Sequence, residues 1–309
     1  MTSTASLQAP RAVVMIRPHA FRVNPQTAAD NAFQSLVAAT ESGLAAAAFE
    51  EVSAAADRLQ AEGVRVHLFD DDGRHDTPDS VFPNNWFSTH AGGQIAVYPM
   101  AMPSRRRERR PDVIELLKTE YRVQDVIDYS GLAHDGVYLE GTGAMVLDHI
   151  GRIAYTARSN RADPVALERF CTHFNFEPMV FDSADRHGRP VYHTNVLMCL
   201  ATRFALVGLD LMTDPRRRAE VCQRLEDSGR EVIALSPAQI AEFAANAIEL
   251  SSPAGRLLAL STRAAAALTD KQRATIERST RLVALPVPTI EQAGGSVRCM
   301  IAGIHLTRR

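Results

Sequence analysis

The stretch Gly294-Gly295-Ser296-Val297-Arg298-Cys299-Met300-Ile301 sets a thiol behind two glycines and ahead of an apolar run that continues to Ile304. Glycine lets the backbone turn sharply or approach a ligand closely. A thiol at the mouth of a short buried strand, behind such a loop, is where a nucleophile would be placed, and Arg298 beside it would favour the thiolate. Without partners, a cysteine in an apolar strand is more often inert packing, so Cys299 needs a base and a group to organise it. Of the ten histidines, most lie in polar loops, as His75, His134 and His187 do. His193 differs, because Val191-Tyr192-His193-Thr194-Asn195-Val196 runs into an apolar strand and puts 193 and 195 on one face. A hydrogen-bonded histidine at a strand end fits that pattern equally. Glu140, in Tyr138-Leu139-Glu140-Gly141-Thr142-Gly143, is a carboxylate directly before two closely spaced glycines.

Several classes are excluded. Gly141-Thr142-Gly143 is too short for a dinucleotide fingerprint, and no P-loop is present. The four cysteines are widely and irregularly spaced, which gives neither a zinc pattern nor a disulfide framework. A reducing cytoplasm is the simplest location, and no metal is expected. At 309 residues, 46% hydrophobic, 23% charged and a net charge of -2, the composition is that of a globular protein without general affinity for nucleic acid. No apolar run reaches the roughly 18 residues of a membrane span. Met1 to Pro10 lacks the charged-then-apolar order of a signal peptide, so residues 1–11 are expected to be a flexible tail and 12–309 one domain. The run Arg105-Arg106-Arg107-Glu108-Arg109-Arg110 reads first as a solvated face, with one arginine free to turn inward and hold a small anion.

The elements that must position these groups alternate in a characteristic way. Ala12–Ile16 is an apolar run, Ala28–Gln60 an alanine-rich helix broken near Gly43, and Val64–Phe69 a strand. Gly92-Gly93 leads into a strand over Gln94–Met100, and Pro111 suits the first turn of a helix. Strands are expected at Gly143–Leu147, Ile153–Ala157 and Met179–Phe181, with Asp163-Pro164 opening a helix to Phe174. A hairpin follows at Asn195–Leu200 and Phe204–Leu209; Asp214-Pro215 and Ser236-Pro237 open further helices around a strand at Glu231–Leu235. The same alternation returns through Ile248–Leu250, Leu257–Leu260, a helix after Ser261, and Leu282–Val287. Two or three short strands and one helix thus recur several times without exact sequence repetition. This is not the single-strand, single-helix rhythm of a doubly wound sheet.

Taken together, Leu139-Glu140-Gly141, His193-x-Asn195 and the terminal Gly-Gly-Ser-Val-Arg-Cys resemble the guanidine-modifying enzyme superfamily, which includes arginine deiminases, dimethylarginine dimethylaminohydrolases and amidinotransferases. The motifs span Asp79 to Cys299 in the family's order. The resemblance implies an α/β fold, specifically a pentein-like five-bladed α/β propeller with pseudo-fivefold repeats of strands plus one helix, with a central active site and no cofactor. It implies that Cys299 attacks the substrate carbon, that His193 is the general acid and base, and that Glu140 holds substrate nitrogens. Arg161, with Arg105 or Arg106, would grip an α-carboxylate, and Asp79 the α-amino group; Arg161 and Asp79 also read as ordinary surface or turn residues.

Two departures bear on the substrate. The deiminase Phe-x-x-Asp reads Phe82-Pro83-Asn84-Asn85 here, and His-x-Asp reads His193-Thr194-Asn195. A buried guanidinium without those carboxylates is poorly paired, whereas an asparagine amide can both donate to and accept from a neutral ureido group. The expectation is a hydrolase of citrulline, similar to the citrulline-utilisation hydrolases, acting on a small amino acid with neither nucleic acid nor membrane as partner; homo-oligomerisation is left open. The alternatives are an arginine deiminase or dihydrolase, since relatives of that activity also carry asparagine at Phe-x-x-Asn, an amidinotransferase, and a non-catalytic binding protein on the same fold.

Overall fold

The computed structural model describes every residue except 1–6, 30 and 36–39. Fifteen strands succeed one another as β1 (Ala12–Pro18), β2 (Arg65–Asp71), β3 (Phe87–His90), β4 (Gln94–Val97), β5 (Asp125–Asp128), β6 (Met145–Asp148), β7 (Ile153–Ala157), β8 (Glu177–Phe181), β9 (Met198–Leu200), β10 (Phe204–Val207), β11 (Glu231–Ala234), β12 (Ile248–Ser252), β13 (Gly255–Ser261), β14 (Arg281–Leu285) and β15 (Ala302–Ile304). They form five separate three-stranded sheets. In four of them a hairpin (β3–β4, β6–β7, β9–β10 or β12–β13) is antiparallel, and its second strand pairs in parallel with the strand that follows. The fifth repeats the pattern with one strand from each end: β15 runs antiparallel to β1 with Ala12 opposite Ile304, and β1 runs parallel to β2 with Ala12 opposite Arg65.

A parallel connection needs a crossover, and each sheet has a helix there. These are α1 (Glu41–Ala61), α2 (Pro111–Glu120), α3 (Pro164–Phe174), α4 (Pro215–Asp227) and α5 (Asp270–Glu277). Their starts are written locally. Asp163 and Asp214 accept from Val165 N and Arg216 N with proline following each, Thr40 accepts from Gly43 N, and Thr269 with Gln272 closes a capping box. Each helix turns an apolar face to its sheet; in α1 these are Ala48, Val52, Ala55, Ala56 and Leu59, and a fully buried valine or leucine contributes about 1.5–3 kcal/mol. All residues of β6, β7 and β12 are buried, the polar Asp148, Glu249, Ser251 and Ser252 included.

Three expectations are corrected. The alanine-rich helix starts at Glu41, not Ala28; the described residues before it include only one short turn, Pro25–Thr27. The strands expected from Gly143, from Asn195 and from Met300 begin two or three residues later, because one-turn helices (Gly141–Ala144, Thr194–Val196, Val297–Met300) precede them. Of the expected tail, residues 1–6 lie outside the described residues, but the following segment is anchored. Gln8 Nε2 donates to the Leu147 and Leu200 carbonyls at 3.0 and 3.2 Å, its Oε1 accepts from His149 N at 2.9 Å, and Ser251 donates to Ala9 O and Pro10 O.

Between the sheet of β6 and that of β11, Arg230 clamps Asp148 with two bonds of 2.6 and 2.8 Å, both side chains essentially without solvent contact. Removing one partner strands the other charge. Asp148→Ala is expected to lower the urea-unfolding free energy by about 3–5 kcal/mol, and Asp148→Ala/Arg230→Met to recover part of that loss.

Candidate active site

The loop ahead of the first strand of each sheet carries one side chain toward a common point. Before β3 the turn Pro83–Asn85 presents Asn85; before β6 the helix Gly141–Ala144 follows Glu140; before β9 stand His193 and Asn195; before β12, Asn246; before β15, Cys299. All five of Asn85, Glu140, His193, Asn246 and Cys299 are buried. Cys299, His193, Asn85, Asp79, Arg105 and Arg161 line one narrow pocket with about 20 Å³ of free interior, roofed by Thr27 and Asn31.

Glu140 is the hub. Its Oε2 lies 2.9 Å from His193 Nε2, 3.3 Å from Arg161 Nη1 and 3.5 Å from Arg105 Nη1, while Oε1 accepts from Ala101 N at 3.1 Å. Burial alone would push this carboxyl up, but Arg161, the His193 bond and Arg105 together hold it far below its usual range. His193 shows the converse: burial pulls it down to about 4 against the opposing pull of Glu140, so the imidazole is neutral near pH 7. Gly143 stands beside both groups, because a Cβ there would strike the Asn85 amide and lie 2.8 Å from His193 Nδ1.

The sulfur is held from behind. Asn195 and Asn246 each donate Nδ2 to Cys299 Sγ at 3.3 Å, and Asn246 also bonds the Asn195 carbonyl and accepts from Arg298 N. On the other flank the Tyr192 hydroxyl donates to Gly294 O at 2.6 Å and its ring underlies the Arg161 guanidinium at 5.0 Å. Gly294 has φ +82°, and a side chain there would run into Asn31. By contrast, burial pushes the Cys171 and Cys199 thiols up to about 12, which suits inert packing.

The remaining expected residues divide. Arg105 is buried and forks onto Glu108 at 2.9 and 3.0 Å, with Asp79 3.8 Å from its Nε, so the basic run is not wholly a solvated face. The network fixes the Asn85 amide with its oxygen accepting from Arg105 Nη1 and Nη2 at 2.8 and 3.1 Å. Asp79 Oδ2 accepts from Asn24 at 2.8 Å, Oδ1 is buried without a partner among the described residues, and burial raises the carboxyl. Arg106 is not in the pocket: its guanidinium is spent on the Met100 and Ala101 carbonyls at 3.0 and 2.9 Å. Asn195 does not line the pocket either but backs the sulfur. Arg298 turns away from the thiol, its Nη1 donating to Ile301 O at 3.0 Å. Asn246, Tyr192 and Glu108 are additions. The one available signal for Asn246 was its place two residues ahead of β12, matching Asn85 ahead of β3.

The family described as N,N dimethylarginine dimethylhydrolase, eukaryotic, matches residues 17–306. A comparison with curated proteins finds no match. Among solved structures, the chain is similar to the substrate-bound N-terminal domain of ArgZ, an arginine dihydrolase from the ornithine-ammonia cycle in cyanobacteria, at TM-score 0.71 and 14% identity over 95% of this chain and 97% of that one. Unliganded AgrE gives 0.73 and 17%, over 96% of this chain and 40% of AgrE. DDAH from Pseudomonas aeruginosa complexed with citrulline gives 0.62 and 15%, over 96% and 99%. The chain spans about 40% of the longer ArgZ and AgrE chains.

Because His193 sits near 4 rather than 6.5, the unfolded chain binds the extra proton between those values. Its contribution to stability is therefore complete above about pH 6.5 and is lost as the pH falls toward 4. Glu140→Gln removes the groups that hold the imidazole up, so NMR titration is expected to place the His193 midpoint lower still in that variant; an unchanged or higher midpoint would contradict the 2.9 Å contact.

Proposed function

The chain belongs to the N,N-dimethylarginine dimethylhydrolase family, and from that membership we propose that it is a cysteine-dependent hydrolase of a ureido amino acid, taking citrulline and water to ornithine, ammonia and carbon dioxide. On this reading residues 12–309 form one domain, and its five sheets are the blades of a five-bladed α/β propeller. Support comes from the shared antiparallel-then-parallel pairing of all five sheets and from the contacts of β15 with β3, β6 with β9, and β9 with β12. Among the described residues no helix is long and apolar enough to cross a membrane, and no cluster of His, Cys, Asp or Glu could hold a metal; we place the enzyme in the cytoplasm.

Each side chain then has a task. Arg105 and Arg161 grip the substrate carboxylate, and the free Asp79 Oδ1 takes the α-ammonium. Asn85 faces the ureido group, and Glu140 accepts from its N–H groups. His193, neutral at rest, takes the thiol proton as Cys299 Sγ bonds to the ureido carbon. The C–N bond to the side-chain amine then breaks and His193 returns the proton to that amine, which leaves a carbamoyl thioester on Cys299. Water, deprotonated by His193, attacks the carbonyl; the C–S bond breaks, and the carbamic acid falls to ammonia and carbon dioxide. Asn195 and Asn246 hold the sulfur in line, the kind of orientation on which effective molarity depends.

The observation that carries the reading is the pair of amides where the deiminase pattern has two carboxylates, Asn85 in the pocket wall and Asn195 against the sulfur; Asn85 alone does not decide, because arginine dihydrolases share it. The second reading, an arginine dihydrolase, draws on the likeness to ArgZ and AgrE and on the buried carboxylates of Glu140 and Asp79. Ammonia and ornithine release from citrulline tests both. Citrulline turnover without arginine turnover is expected, abolished in Cys299→Ser, whereas turnover of arginine and none of citrulline would refute the neutral-substrate reading. Asn85→Asp is expected to shift kcat/KM toward arginine by about tenfold or more, equivalent to about 1.4 kcal/mol.

A further inference from the structure

A second cavity, with about 50 Å³ of free interior, shares no lining residue with the Cys299 pocket. Its walls come from the strands after the site loops, and Gln8 and Pro10 lie along its edge. Arg298 faces it. The three most deeply buried arginines are all paired, Arg105 with Glu108 and Glu140, Arg161 with Glu140, and Arg230 with Asp148. Among the described residues Arg298 has no carboxylate partner: its one bond is to the Ile301 carbonyl, and only the Cys299 and Cys199 thiols oppose the burial that pulls its pKa down. The carboxylate on the same wall, Glu249, accepts at Oε2 from Thr202 N and Oγ1 at 2.7 and 2.5 Å; its Oε1 makes no hydrogen bond among the described residues but lies 3.1 Å from Arg256, whose charge offsets it.

The other polar groups facing the cavity add a donor and no charge. His149 stacks on His305 with centroids 3.7 Å apart, and its ring nitrogens have no bond among the described residues. His305 spends its Nδ1 on Leu7 O, and the Thr89 hydroxyl donates to Gly303 O. Burial keeps both imidazoles neutral, His305 at about 4 and His149 well below its usual value. The unspent groups are therefore guanidinium N–H groups and one imidazole N–H, carrying one positive charge with no carboxylate at ion-pair distance, on residues (Arg298, His149) that are half-buried. A water needs about 10–15 Å³ on the same measure, so the space suits an anion of three or four heavy atoms.

We propose that this cavity binds one small, monovalent, planar oxyanion of the formate, nitrate or bicarbonate class, gripped by the guanidinium of Arg298 and the imidazole N–H of His149. The planar fork of arginine matches such an ion with paired bonds, which a lysine cannot do. This site is independent of the substrate assigned to Cys299.

The test titrates sodium formate, nitrate, bicarbonate and chloride into the full chain at constant ionic strength held with gluconate, too bulky for the cavity. Thermal unfolding is one readout. Fluorescence of Trp86, the single tryptophan, is another, since its ring packs at 4.3 Å on Phe87 of the cavity wall. The expected result is a saturable rise in Tm with the oxyanions, and an affinity weakened at least about tenfold in Arg298→Gln, about 1.4 kcal/mol, and less in Arg298→Lys. His149→Phe supplies a second reading should Arg298→Gln not fold, and should also weaken binding. No saturable response in the native chain, an unchanged response in these variants, or chloride equalling formate would overturn the proposal.

Discussion

A single carboxylate with no solvent contact ties the site together. Glu140 reaches His193, Arg161, Arg105 and the Ala101 amide, which belong to three separate stretches of chain. In a low-dielectric interior such a charge is tolerable only when its partners are in place. The geometry is thus enforced from both directions: the two guanidiniums need the carboxylate, and the carboxylate fixes the ring plane of His193. Arg105 extends the network to Glu108 and Asp79, so the far end of the pocket is organised by the same charge that orients the imidazole.

The second constraint is repetition. Ahead of the first strand of each sheet the chain makes a tight turn, and in all five that turn delivers a residue to the centre: Asn85, Gly143, Asn195, Asn246 and Cys299. Five side chains cannot all fill one small volume. At 143 the position is given up to glycine, since the Asn85 amide and His193 already occupy the space. Two others are asparagines that cup the sulfur. Of the five, Asn85 and Cys299 line the pocket, where His193, Asp79, Arg105 and Arg161 join them.

Much of this was legible beforehand where the signal is local. Asp163-Pro164 and Asp214-Pro215 predict helix starts that the structure reproduces, because a carboxylate cap and a proline at the first turn act over three residues. Cys299, His193, Arg161, Asp79 and Asn85, all singled out in the sequence, line one pocket, and Glu140 bonds His193 and Arg161 beside it. Strand starts were placed too early at Gly143, Asn195 and Met300 because the turns ahead of them are as buried as the strands, and hydropathy cannot separate the two. The alanine-rich composition before Glu41 favours helix, but the cap of the helix that forms is Thr40, which accepts from Gly43 N. Charge runs report sign rather than direction, so Arg105 buried beside Glu140 and Arg106 spent on backbone carbonyls looked alike. Asn246 and the outward turn of Arg298 depend on contacts distant in sequence, which no local pattern encodes.

The pairing of β15 with β1 has a kinetic corollary. The thiol sits one turn ahead of a strand whose ladder partner among the described residues is β1, about 290 residues earlier in the chain, so the alignment of Cys299 waits on a contact between the two ends of the sequence. Closing so long a loop is entropically late. A partly assembled chain would therefore carry its imidazole, carboxylate and arginines without the sulfur registered against them, and would acquire competence in its final docking event rather than by degrees.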